Sequence, residues 1–309
     1  MTRIVIILAA ALFCVMYAPP PDPRILSAIN QAALDSGQDD TGNKFYCPMD
    51  SDVRSAAPGF CPKCGMKLVE GVQDIAEYPV NLTVEPLEPR AANRARLTFG
   101  VLEPGSERPV RNFEVVHEKL YHVFVVSQDL TFFLHSHPER LPDQDFHIDV
   151  HFPKPGMYRV LSDFYPSGGT PQLAANTVMI PGEGFSLQPA HIQADMSPRQ
   201  SENSRVEMEN VQDRVMAGIR TSLVFRVTPD EGLEPYLGAM AHMLAASSDL
   251  IDMMHNHPSQ VTDGRSNAFK DLSFNMIFPR AGLYRVWLQF QRRGIVNTVA
   301  FDIPVNESP

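Results

Sequence analysis

Cysteines 47, 61 and 64 lie in one turn-rich stretch, FYCPMDSDVRSAAPGFCPKCGMKLVE, which holds three of the four cysteines in the chain. Cys61 and Cys64 are three positions apart, so both thiolates reach one ion from a single tight turn. Gly65, directly after them, permits positive φ, which lets backbone N–H groups turn toward the sulfurs. Cys47 lies 14 positions before Cys61, a spacing that suits a third ligand from a facing loop. A phrase Cys-x-Met occurs twice, as Cys47-Pro48-Met49 and Cys64-Gly65-Met66, and Pro48 and Pro62 stiffen the turns. Thiolates and thioethers are soft donors, suited to Zn(II) or Cu(I) rather than Mg(II) or Ca(II). Two other readings stay open: a structural zinc knuckle with no transport role, and a Cys61–Cys64 disulfide in an oxidising compartment that leaves Cys47 odd.

The second set is histidine. LYHVFVVSQDLTFFLHSHPE (120–139) aligns without gaps to MAHMLAASSDLIDMMHNHPS (240–259), which sets His122, His135 and His137 on His242, His255 and His257. A turn centred between Gln128 and Asp129 pairs residues whose numbers sum to 257, so His122 faces His135, and strand alternation puts His137 on the same face. In the second copy the sum is 497: His242 faces His255, and Met240 faces His257. A one-residue slip scatters the set. Three imidazoles, with a thioether in one copy, suit copper or zinc, and coordination weakens below the imidazole pKa of about 6.5. The rest of that face is apolar (Phe124, Val126, Phe133; Leu244, Met253), so the same histidines also read as core residues that hydrogen-bond to backbone and fix the hairpin. His117, His147, His151 and His191 have no histidine counterpart in the other copy; their default is surface or local packing, with His151 an outside candidate for the first site.

These side chains need elements to position them. From about Val80 the chain runs in short apolar segments bounded by Pro, Gly, Asn and Asp, which predicts β structure. FPKPGMYRV (152–160) recurs as FPRAGLYRV (278–286), and NTV recurs at 176–178 and 297–299. The copies are about a hundred residues each, the size of one β-sandwich. The expected organisation is a signal peptide or membrane anchor over 1–18, a linker over 19–44, a metal knuckle over 45–72, β-sandwich repeats over 78–183 and 205–306, and a second linker over 184–204. The fold class is mostly β: a small Cys-rich knuckle followed by two tandem Ig-like or cupredoxin-like sandwiches.

The N-terminus, MTRIVIILAAALFCVMYAPPPDP, has one Arg before an apolar run from Ile4 to Ala18, too short for a membrane span and right for a signal-peptide core. It predicts export, to the periplasm or cell surface, with any membrane contact through this segment alone. Cys14 invites a lipoprotein reading, against which Phe13 stands where a small residue is expected. A net charge of −10 without a basic block argues against nucleic acid as a partner.

Residues 45–70 resemble a known family, the small heavy-metal-binding domain found on copper and silver efflux adaptors and on some metal-pumping ATPases. That family reads Tyr-x-Cys-Pro-Met-His-Pro, a Pro-Gly turn, then Cys-Pro-x-Cys-Gly-Met. Cys47, Pro48, Met49, Pro58, Gly59, Cys61, Pro62, Cys64, Gly65 and Met66 match it, and Tyr46 stands directly before Cys47, one place later than the family Tyr, whereas Asp50 replaces the family His and Ser51 the Pro. If that His helps bind metal in the family, the fourth donor here falls to Met49, Met66, Asp50 or water. The long coiled-coil hairpin of an efflux adaptor has no counterpart in this chain, so the adaptor role does not carry over.

The function expected is capture or buffering of heavy metal, Cu(I)/Cu(II) or Zn(II), with the ion as principal partner and an efflux or other envelope protein as a candidate second one. The alternative is an extracytoplasmic protein-interaction module whose zinc only staples the knuckle. His-x-His on a strand is also similar to cupin dioxygenases, but those place a Glu a few residues after the pair; Glu139 is too close to His137, and the second copy has Ser259 there. No Ser-His-Asp order, phosphate-binding Gly loop or HExxH motif occurs, and no enzyme activity is expected.

Overall fold

The computed structural model describes residues 45–47, 53–70, 77–116, 118–142, 145–209, 215–263 and 268–308. The expected signal segment and first linker, with Cys14, Met49, Asp50 and His117, lie outside the described residues. What is described is built from strands, without helix.

The knuckle is a three-stranded sheet in which Phe45–Tyr46 lies between Arg54–Ser55 and Val69–Glu70. Its interior is small: Cys47, Cys61 and Leu68, with Phe45, Val53 and Cys64 packed against them.

Each repeat is a sandwich of two sheets. In the first, one sheet orders Val80–Glu85, Arg94–Val101, Phe146–His151 and Glu139–Arg140. The other orders Gln172–Ile180, Gly156–Phe164, Tyr121–Ser127 and Phe133–Ser136. The second repeat mirrors this, its histidine-bearing sheet running Ile295–Asn306, Gly282–Arg292, His242–Ser247 and Met253–Asn256. Strand alternation fills each core: Ala95, Leu97, Phe99, Tyr121, Val123 and Val125 in one, Leu223, Phe225, Val227, Met243 and Ala245 in the other.

Every residue of Tyr121–Ser127 and of His242–Ser247 is buried, on both faces of the strand. The second face packs on the other repeat. Phe124, Val126, Leu130 and Leu161 meet Leu244, Ala246, Leu250 and Trp287 in one cluster, and Phe133 stacks on Trp287 with ring centroids 5.1 Å apart. The histidine-bearing sheets therefore lie against each other.

Two expectations change here. The hairpin register is not the one a two-residue turn imposes: Phe124 pairs with His135 and Leu244 with His255. The sums become 259 and 499, and this register sets His122 against His137 and His242 against His257. The cause is a wider turn. Leu130 N–H donates to Ser127 O at 2.8 Å and Ser127 N–H to Phe132 O at 3.1 Å. Asp129 Oδ1 accepts from Ser127 Oγ at 2.6 Å and from Thr131 Oγ1 at 2.9 Å, and Leu130 takes φ +59°. Asp249 and Leu250, with φ +56°, repeat the arrangement. A shift of two preserves side-chain parity, so the histidines keep their common face. Met240 packs against the second repeat's core instead of facing His257.

The stretch 184–204 is tied down rather than a free linker. Ala190 and Ile192 pack into the inter-repeat cluster, Asp195 and Asp302 exchange two backbone hydrogen bonds, and Arg199–Gln200 already forms a strand.

Candidate metal centres

Backbone geometry aims the thiols. Cys47 N–H donates to Val53 O at 3.0 Å, Cys61 N–H to Met66 O at 2.6 Å, and Gly65, at φ +75°, donates to Cys61 O at 2.9 Å. Lys63 N–H points at Cys61 Sγ at 3.4 Å, the contact that stabilises a thiolate. None of the three cysteines is in a disulfide; Cys47 and Cys64 Sγ are 3.5 Å apart, and the three sulfurs lie within 4.8 Å of one another. Zn–S bonds of about 2.3 Å in tetrahedral geometry demand sulfurs a little under 4 Å apart, so the set fits one soft ion. Met66 is buried in the same knuckle.

The histidines form two further sets, each offering ring nitrogens within 4.8 Å of one another: His122, His135 and His137, and His242, His255 and His257. Their hydrogen bonds assign the tautomers. A short turn in each repeat presents a carbonyl to the first histidine, so His122 Nε2–H donates to Val116 O at 3.0 Å and His242 Nε2–H to Tyr236 O at 2.8 Å. The Nδ1 lone pair of each then points inward. His135 Nδ1–H donates to Gln289 Oε1 at 2.9 Å, and His255 Nδ1 sits 2.5 Å from Asp163 Oδ2, leaving Nε2 as the free donor atom of both rings. His122 Nδ1 and His135 Nε2, two lone pairs, stand 3.4 Å apart, and His137 Nε2 is 3.0 Å from the same Nδ1. In the second set His257 Nε2 is 3.0 Å from His242 Nδ1. Metal–nitrogen bonds of about 2.0–2.1 Å place their ligand atoms at about this separation.

His255 tests the fit. Its side chain is 4 % exposed, and Nε2 is buried without a hydrogen-bond partner. A purely structural histidine satisfies both nitrogens; this one presents an unspent lone pair to the cluster. Burial lowers the pKa of His122, His135 and His137, that of His137 to about 3, with neighbouring histidine charge adding to the effect. Neutral imidazole is the coordinating form, so proton competition in the first set begins below the ordinary value near 6.5. His147 and His151 lie on a strand of the first repeat's other sheet, and His191 is exposed; none joins a set among the described residues.

Asp163 and Gln289 are the site residues that motif reading overlooks. They are equivalents at the offset of 126 set by FPKPGMYRV and FPRAGLYRV, so the repeat alignment itself points to them once extended by three residues.

Residues 44–70 match the family described as heavy metal binding domain. No curated protein matches the chain. Among solved structures, a titin fragment (A168169) is 14% identical, with 75% of this chain and 99% of that one covered and a TM-score of 0.20. The FdeC adhesin of Escherichia coli is 14% identical, with coverage of 79% and 68% and a TM-score of 0.24. Fibronectin(III)-like modules of CbhA from Clostridium thermocellum are 10% identical, with coverage of 74% and 95% and a TM-score of 0.19. Both sandwiches, over residues 73–182 and 199–307, match one family, and the chain belongs to it: the family described as domain of unknown function DUF8832.

Proposed function

We propose that this protein captures and buffers soft heavy metal, copper foremost, in the periplasm or at the cell surface, and acts by binding rather than by turning over a substrate. The observation that carries this reading is the convergence of three cysteine sulfurs, none in a disulfide, within 4.8 Å in a segment that matches a heavy metal binding domain. Export rests on the apolar run Ile4–Ala18 behind a single Arg. The histidine sets supply a second class of site, built from donors that survive oxidising conditions better than thiols. An envelope protein that takes up the ion is the partner this role calls for.

One observation favours a second reading for the knuckle alone. Cys47 and Cys61 are themselves most of its interior, at 0% and 3% exposed, so a bound zinc would hold this small fold together. The experiment is metal analysis of the protein isolated anaerobically from its native compartment, alongside Cys61→Ser/Cys64→Ser. Loss of one equivalent of copper in the variant supports capture. Zinc that resists exchange for Cu(I) supports the staple, and an isolated 61–64 disulfide without metal sinks both.

A further inference from the structure

The two histidine sets stand nearly as close to each other as the rings within each set. Across the repeats, ring centroids are 5.0 Å apart for His135–His242, 6.1 Å for both His122–His255 and His135–His255, and 6.2 Å for His122–His242. Within a set they run from 4.4 Å for His255–His257 to 5.7 Å for His122–His135. We propose that the six histidines form a single centre that holds two copper ions side by side, one in each triad, in the interface between the repeats. This rests on the metal reading of the triads and goes beyond it, since independent ions in separate hairpins would also satisfy that reading.

Three features support one centre over two. The first is that neither triad is complete within its own repeat. Gln289 lies opposite His242 in the second repeat's sheet and orients His135 of the first; Asp163 lies opposite His122 in the first and orients His255 of the second. The exchange is reciprocal, as a two-fold relation between the repeats requires. The second is the shared wall. Phe124 stacks on His135 at 4.3 Å and also contacts His255 of the other repeat at 4.6 Å, so one ring shields the central histidines of both triads from water. The third is the orientation of the rings: His122 and His242 turn Nε2 to a carbonyl, and His135 and His255 turn Nδ1 to the partner repeat, so each of these four rings turns its other nitrogen toward the cluster.

The two positions differ in one respect. Asp163 places a carboxylate behind His255, where Gln289 places a neutral amide behind His135. A carboxylate makes the imidazole it orients a stronger donor and offsets part of the ion's charge. The triad of His242, His255 and His257 is therefore the tighter half and fills first.

The test uses the full chain with Cys47, Cys61 and Cys64 changed to Ser, titrated with Cu(II) alone. Expected are two saturable equivalents filling in sequence, with an electron paramagnetic resonance spectrum showing a half-field transition or integrating to fewer spins than the copper bound. Two equivalents with full spin and no half-field signal overturn the pairing and leave the triads as separate sites. A single equivalent that needs all six histidines overturns it as well, and absence of saturable binding overturns both the pairing and the metal reading of the triads. The cross-repeat claim has its own arm. In a chain whose first triad is silenced by His135→Asn and His137→Asn, Asp163→Asn is expected to weaken copper at the second triad by about 10–100-fold. The converse is Gln289→Glu in a chain silenced at His255 and His257, which should tighten the first triad by a comparable factor. Unchanged affinity in both, with metal-free melting temperatures also unchanged, shows that the repeats do not orient each other's ligands and sinks the shared centre.

Discussion

Asp129 decides where the first hairpin turns, and it does so as an anion. Partial burial pushes its carboxyl pKa up, but hydrogen bonds from Lys154, Ser127 and Thr131 outweigh that and hold it at about 2. The folded value lies below the unfolded one of about 3.9. The unfolded chain therefore takes up the proton first, and the contribution is complete above about pH 4 and lost as pH falls through about 2. We predict that the urea midpoint of the metal-free protein declines over that window, and that Asp129→Asn lowers the midpoint at neutral pH while flattening the decline. An equal slope in wild type and variant contradicts the assignment. The side chains that orient the triads are a contrast in legibility. Cys47, Cys61 and Cys64 declare themselves because short loops keep their spacing in sequence close to their spacing in space. Asp163 and Gln289 act on histidines 92 and 154 positions away, a separation that no local pattern encodes.

Among elements, the two hairpins carry the histidines, and each closes on a leucine with left-handed backbone. Leu130 sits at φ +59° yet is 1% exposed, wedged into the inter-repeat cluster beside Leu250. Two effects oppose each other there. Glycine would relieve a left-handed cost of about 1–2 kcal/mol, whereas removing a buried leucine side chain costs about 2–5 kcal/mol. Packing outweighs strain over most of that range, so Leu130→Gly should destabilise by about 0–4 kcal/mol, centred on about 2 kcal/mol, in denaturant unfolding. A stabilised variant would show that backbone strain dominates this turn. Sequence placed each set of three histidines on one face of its hairpin even though the register was out by two, because parity, not register, decides the face. The turn width depends on Ser127 and Asp129 capping one another, which residue spacing does not reveal.

At the scale of the whole molecule, the interface between repeats has a built-in reporter. Trp287 is the only tryptophan of the chain, is 5% exposed and stacks on Phe133 of the other repeat. Phe133→Ala removes that partner and part of the shared apolar cluster, at a cost of about 1–3 kcal/mol for a partly buried ring. We predict a red shift of Trp287 emission in the variant. During denaturant titration of the wild type with copper added, emission should shift together with loss of copper from the histidines, because the proposed centre lies in the same surface as Trp287. Copper retained after Trp287 has become solvated would mean that each hairpin binds alone. Excess copper should in turn delay the shift, by about 2.7 kcal/mol when free metal is a hundred times its dissociation constant.

Sequence by itself determined the tandem repeat, the β character, the thiol knuckle and the common face of each histidine set. These follow from local spacing and strand alternation, which act over a few residues and leave a direct imprint on residue order. It also held a clue to the interface, since Tyr121–Ser127 and His242–Ser247 are apolar on both sides where a solvated sandwich sheet needs only one. What only the tertiary structure decided is which surface covers that second face. Two apolar faces can be covered by a lid, a partner or each other with the same pattern of residues. Here the repeats cover each other, and that packing alone brings His135 within 5.0 Å of His242 and sets Asp163 behind His255.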